Sequence, residues 1–232
     1  MASYSGNPHT DDATLRSVAT TFANARSGSG TLSVISGSAT AAGPSVDAQS
    51  DWSNFYIDRF VMPFDTASLG VGAVASAGTL SFYVNGLESP DVANTQLDLI
   101  GYTLASAPTI ATSDWGSAGT TQLATRLSFA PGTTGTQTFT LNASGLAYIT
   151  GAAYTVFAIV MANDYANSPS SPTDIDGHFG ASYSYMSCNT ANAGSNKPTL
   201  ALTYTPGTPP GAPTPLLRRD RSILPLYSFP EN

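Results

Sequence analysis

The residues best suited to chemistry fall into three groups: an acidic turn, a scatter of aromatic side chains, and an apolar, arginine-bearing segment late in the chain. The turn is Asp174-Ile175-Asp176-Gly177-His178. Alternating oxygen donors followed by glycine make up the first half of a calcium loop, which also needs a carboxylate about six residues further on. Residues 179–187 contain none. The turn therefore reads as a solvated acidic loop in which Gly177 supplies a positive φ, and no metal or other cofactor is expected. Among the aromatics, Trp115, Tyr165, Tyr183 and Tyr185 are candidates for glycan binding, which needs exposed rings with hydrogen-bonding groups beside them. Trp52 and Trp115 each follow an aspartate. The favoured reading is that both tryptophans pin long loops to the body by burying a large apolar area.

The third group is LLRRDRSILPLYSFPEN, residues 216–232. Leu216, Leu217, Ile223, Leu224, Leu226, Tyr227 and Phe229 surround Arg218, Arg219 and Arg221, and Pro225 and Pro230 rule out a long helix. Disordered ends are usually poor in bulky apolar residues, so this one reads as an anchor for a partner subunit. Catalysis has no comparable footing. The chain holds two histidines, His9 and His178, and no nucleophile elbow, paired-histidine zinc motif or phosphate loop. None of the fifteen carboxylates is singled out as half of a glycosidase pair. No catalytic residue is assigned, and the chain is expected not to be an enzyme.

The elements that must carry these groups read as strands. Over residues 54–69 (NFYIDRFVMPFDTASL) a period of two separates Tyr56, Asp58, Phe60, Met62 and Phe64 from Phe55, Ile57, Arg59 and Val61. Both sets are largely apolar, which predicts a strand covered on both sides, leaving its sheet or bulging near Pro63. Residues 77–85 (AGTLSFYVN) alternate in the same way, and the two stretches are expected to be neighbouring core strands. Further strands are expected at 13–26, 31–36, 97–103, 122–129, 136–142, 154–161, around 181–186, and at 198–205. One or two helical turns are expected in 143–150, an irregular loop in 105–121, and loop in 38–50. Strands at this spacing with Gly, Pro and Ser between them predict an all-β, jelly-roll-like antiparallel sandwich. Its expected limits are 13–205, after an extended N-terminal arm at 1–12. A proline-rich linker at 206–215 and the anchoring tail at 216–232 follow it.

Composition narrows the partners. Charged residues are only 10% of the chain and the net charge is −7, so no nucleic-acid partner is expected, since phosphate binding needs clustered cations. Cys188 is the single cysteine, which excludes an internal disulfide and suits a small buried side chain. Residues 1–12 lack the basic and apolar regions of a secretory leader, and no apolar run approaches the ~20 residues that span a bilayer. The expectation is a protein made in a host cytoplasm and released by lysis, without a membrane partner.

With those strands in place, the stretch from Phe60 to Asn85 resembles the opening of DNRLRE-type domains, also called disaggregatase-related or TGF-β-propeptide-like modules. Arg59, Phe64, Asp65, Leu80, Tyr83 and Val84 occupy the family's positions. Asp114-Trp115, FTLNASGLAYI (139–149) and KPTLALTYT (197–205) are further similarities. The likeness covers roughly 54–205 and lacks the family's T-V-x-W run in the middle. It implies a jelly-roll sandwich used as a binding, stalk or surface module rather than for catalysis. Taken with the arm and tail, the expected function is a structural virion protein of a tailed bacteriophage: a capsid decoration or cement, head-fibre, neck or tail accessory subunit. It would join other virion proteins through its tail and form a homo-oligomer, a trimer being favoured. The alternative is a carbohydrate-binding module that recognises a cell-surface glycan.

Overall fold

A computed structural model describes residues 1–36, 43–48, 54–88, 96–130, 132–151, 153–167 and 183–208. In chain order these form β1 (Ala2–Gly6), β2 (Ala13–Ala19), α1 (Phe22–Ser27), β3 (Thr31–Ser36), β4 (Ser45–Ala48), β5 (Phe55–Asp65), β6 (Val74–Glu88) and β7 (Gln96–Tyr102). Then come β8 (Ala118–Gln122), β9 (Leu127–Ser128), β10 (Gly135–Thr140), α2 (Ala143–Tyr148), β11 (Tyr154–Met161), α3 (Ala162–Ala166), β12 (Tyr183–Cys188) and β13 (Thr199–Thr205). Two 3-10 turns, Ala67–Leu69 and Thr112–Ser117, complete the described elements.

All the strand pairings are antiparallel, and the strands form two packed sheets, an all-β sandwich. One sheet runs β3-β2-β5-β11-β7-β8, with β9 also on β7, and the other runs β1-β13-β6-β10. β4 pairs with β5 in line with β11, β12 pairs with β6 in line with β13, and β4 pairs with β12, so the sheets join at one edge. At the other edge Ala124 bridges Leu141, and Asn142 N donates to Leu123 O at 3.0 Å. β1 and β3 remain outer strands, each with one ladder partner among the described residues.

β5 is covered on both faces, as its alternation predicts. Phe60, Met62 and Phe64 point between the sheets with Phe157 and Ile159 of β11, and all five are fully buried. Phe64 and Phe157 meet edge to face, with ring centroids 6.1 Å apart. Ile57, Arg59 and Val61 point the other way, where α1 and α3 pack on the sheet. Pro63 lies just beyond the last β2 partner, Val61. Its carbonyl accepts from His9 N at 2.6 Å, so the missing N–H interrupts no ladder there.

Several boundaries differ from the sequence expectation. β5 and β6 are not neighbours: β12 and β4 stand between them in the ladder, because their apolar faces pack across the sandwich rather than side by side. The expected strand 13–26 is β2 followed by α1. Thr21, which favours a strand by composition, caps the helix instead, its Oγ1 accepting from Asn24 N at 3.2 Å. The expected irregular loop 105–121 contains the 3-10 turn and β8, and 122–129 is the end of β8, a break and β9.

Within the stretch expected as an arm, Ala2–Gly6 forms β1 on the edge of β13. Asp12 then ties this segment to the connection after β12: its Oδ2 accepts from Ala191 N at 2.7 Å, and Asn192 Nδ2 donates to Thr10 O at 3.1 Å. Cys188 is fully buried, and burial pushes its thiol well above the usual range. At the far end of β13, Gly207 and Thr208 of the expected linker are pinned to Leu69 and Val71 by backbone bonds of 2.8–3.0 Å. A Cβ on Gly207 would lie 2.3 Å from Val71 O, so only glycine permits that approach.

Candidate functional site

Alternation along β5 delivers Arg59 to the face beneath the helices, where an isolated charge would be costly. The sequence supplies its counter-ion from α3. Arg59 is 5% exposed, and its Nε and Nη2 donate to Oδ2 and Oδ1 of Asp164 at 2.7 and 2.9 Å. Its Nη1 donates to the Trp115 carbonyl at 3.0 Å, and its guanidinium carbon sits 4.0 Å from the Trp115 ring centroid. Tyr102 Oη donates to the same carbonyl at 3.1 Å.

Trp115 is held from both ends. Asp114 accepts from Ala105 N and Ala111 N at 3.1 and 2.9 Å, which fixes the 3-10 turn. The indole Nε1 donates to Arg26 O at 3.0 Å, at the last turn of α1. Gly28 ends that helix with φ of 76°, and a Cβ there would meet Trp115 Cδ1 at 2.3 Å. Arg26 in turn donates from Nε to Asp164 O at 2.7 Å, with the Asp164 carboxylate 3.5 Å away.

Arg26, Arg59 and Asp164 line a cavity of about 230 Å³ together with Gly119, Thr120 and Tyr165. Tyr165 is half-buried, and its hydroxyl donates to Thr120 O at 2.9 Å. Two guanidiniums share one carboxylate here. Burial works against the Arg59 charge, but Asp164 outweighs it, and the guanidinium is held above its ordinary range. Burial pushes Tyr102 up to about 12 despite the neighbouring Arg59. Both groups keep one protonation state near neutrality, so they suit positioning and anion or hydroxyl recognition better than proton transfer.

Two other arginines of the body are matched in the same two-pronged way. Arg16 binds Asp58 at 2.8 and 2.7 Å, and Arg126 binds Asp98 at 2.9 and 2.7 Å. Ser45 and Gln122 add hydrogen bonds to those carboxylates. Among the described residues no cluster of three or more metal-ligating side chains occurs.

The sequence candidates divide accordingly. Trp115 is 3% exposed with Arg59 on its ring, so it offers no face for a sugar to stack on and acts as the loop pin. Tyr165 lines the cavity directly. Tyr183 and Tyr185 are placed on β12, opposite Asp47 and Ser45 of β4, not with the other two. Trp52, the turn from Asp174 to His178, and all the tail candidates from Leu216 to Phe229 lie outside the described residues. Sequence reasoning missed Arg59, Asp164 and Arg26 as a unit. The available signal was a charged residue inside an otherwise apolar strand, which demands a partner. No protein-family model matches the chain, and no curated protein matches it.

Proposed function

We propose that the protein is a non-enzymatic structural subunit of a virion, a decoration, head-fibre, neck or tail accessory component of a tailed bacteriophage. The observation behind this is an apolar patch at one end of the sandwich. Of four exposed large apolar residues among those described, Val71 and Val74 are 54% and 65% exposed there. A third, Met1, sits beside them, with Ser76 Oγ 3.9 Å from its sulfur. The chain leaves β13 at that same place, heading into a proline-rich spacer. Clustered apolar exposure of this kind marks contact surfaces, and a chain with only 10% charged residues suits a subunit packed among others. The DNRLRE-like reading of 54–205 agrees with such a role and rests on the residues quoted for it.

The test is composition of particles. Mass spectrometry of banded particles from a lysed producing culture is expected to find the protein at a fixed ratio to the major capsid protein. Recovery only in the soluble fraction would end this reading. A glycan-binding role has one observation in its favour: Arg26 lines the cavity beside Tyr165, and among the described residues its two terminal nitrogens have no hydrogen bond. A glycan array on which acidic sugars bind the wild type, but not Arg26→Ala, would favour it.

A further inference from the structure

At the same end of the molecule an apolar groove of about 390 Å³ runs between Ala73–Ala75 on one wall and Ala143, Leu146, Ala147 and Ile149 on the other. Every one of these side chains is apolar. The volume falls within the ~300–1,000 Å³ of ligand clefts. Val71 lies two residues before the groove, and Thr208, the last described residue, is hydrogen-bonded to it. The groove thus opens within ~8 Å of Val71, the residue that holds the departing chain, given 3.8 Å between successive Cα atoms.

We propose that this groove is the seat for the tail of a second copy of this chain, residues 223–229 (ILPLYSF). The inference rests on the structural-subunit reading and names its partner. Residues 209–215 contain four prolines in seven, and an extended spacer of that length reaches ~22 Å. It carries the apolar segment well past a groove that lies beside its own root. Returning to its own groove would use nearly all of residues 216–222, ~23 Å when fully extended, to retrace that distance, whereas reaching the groove of a neighbour needs no reversal. Charge favours contact between tail and body. Residues 1–208 hold five basic and thirteen acidic residues, while 209–232 hold three basic and two acidic. The arginines of the tail therefore meet an acidic body, a complementarity that orients more than it binds. Each copy offers one groove and one tail, so the contact is head-to-tail and propagates until a ring closes.

The experiment uses two full-length variants. Val74→Glu with Ala147→Glu alters exposed groove positions. Leu224→Asp, Leu226→Asp and Phe229→Asp together alter the tail. The wild type should self-associate in sedimentation velocity, and each variant alone should weaken this by roughly ten- to a hundred-fold. Mixed in equal amounts, the two should form a complex of twice the monomer mass, because one intact tail meets one intact groove. That complex would also show that both variants are folded. A mixture that stays monomeric overturns the proposal, and so does a groove variant that associates like wild type or a wild type that is monomeric. Particle composition is read separately: a protein present in particles but without complementation loses only this contact. One absent from particles loses the structural role whatever its mass.

Discussion

Asp12 is fully buried where the N-terminal segment meets the connection between β12 and β13. One carboxylate oxygen accepts from Ala191, and the other has no partner among the described residues. Burial raises its pKa from 3.8 to about 6, with Asp11 adding to the rise and Ala191 N and Lys197 opposing it. The folded state therefore holds this proton more tightly than the unfolded chain does. Stability from this group is fullest below pH ~4 and is lost as pH rises through ~6, a change of ~3 kcal/mol. Asp12→Asn removes the titration. Relative to wild type, its unfolding free energy should climb by about that amount between pH 3.5 and pH 7 in denaturant titrations. A constant difference across that range would show that Asp12 is solvated. Such behaviour is invisible in the sequence, where Asp11 and Asp12 look alike. The same holds for Arg59 and Asp164, 105 positions apart, whose pairing depends on how β11 returns beside β5.

At the scale of elements, β1 is a lightly buried outer strand of the sandwich. Its residues alternate between half-buried and exposed, and it is tied on by the β13 ladder and by Tyr4 Oη donating to Asp65 O at 2.7 Å. Deleting residues 1–6 is expected to cost roughly 2–4 kcal/mol in urea unfolding while the core stays cooperative. Hydrogen exchange of the 199–205 amides should accelerate. Unchanged stability and unchanged protection would mean that β1 contributes nothing to the sheet. β1 was hidden in the sequence because ASYSG has Tyr4 as its one large side chain to mark a face. By contrast, β5, β6, β7, β10, β11 and β13 were legible, each alternating or continuously apolar over five residues or more. α2 was legible from Leu146 and Ile149, three apart. α1 was not, since its two caps, Thr21 and Gly28, read equally well as strand and turn.

For the whole molecule, the topology has a consequence in time. β6 is fifteen residues long, and its partners β10, β12 and β13 all come later in the chain, the last ending at Thr205. During synthesis at ~5–20 residues per second, one edge of the strand reading AGTLSFYV waits for β10, which ends at Thr140, and the other for β13, which ends at Thr205 more than a hundred residues later, roughly 6–25 s. Pairings this distant in sequence also form slowly in the free chain, on the millisecond-to-second scale. Through that interval the apolar strand is a template for the same strand of another chain. Refolding yield should therefore fall as protein concentration rises through ~1–50 μM, the range in which such intermediates aggregate, although the finished fold is indifferent to it. A yield independent of concentration would mean that β6 is shielded early by something other than its ladder partners. The molecule is most vulnerable before it is complete, and the rate at which it is made governs how much of it survives.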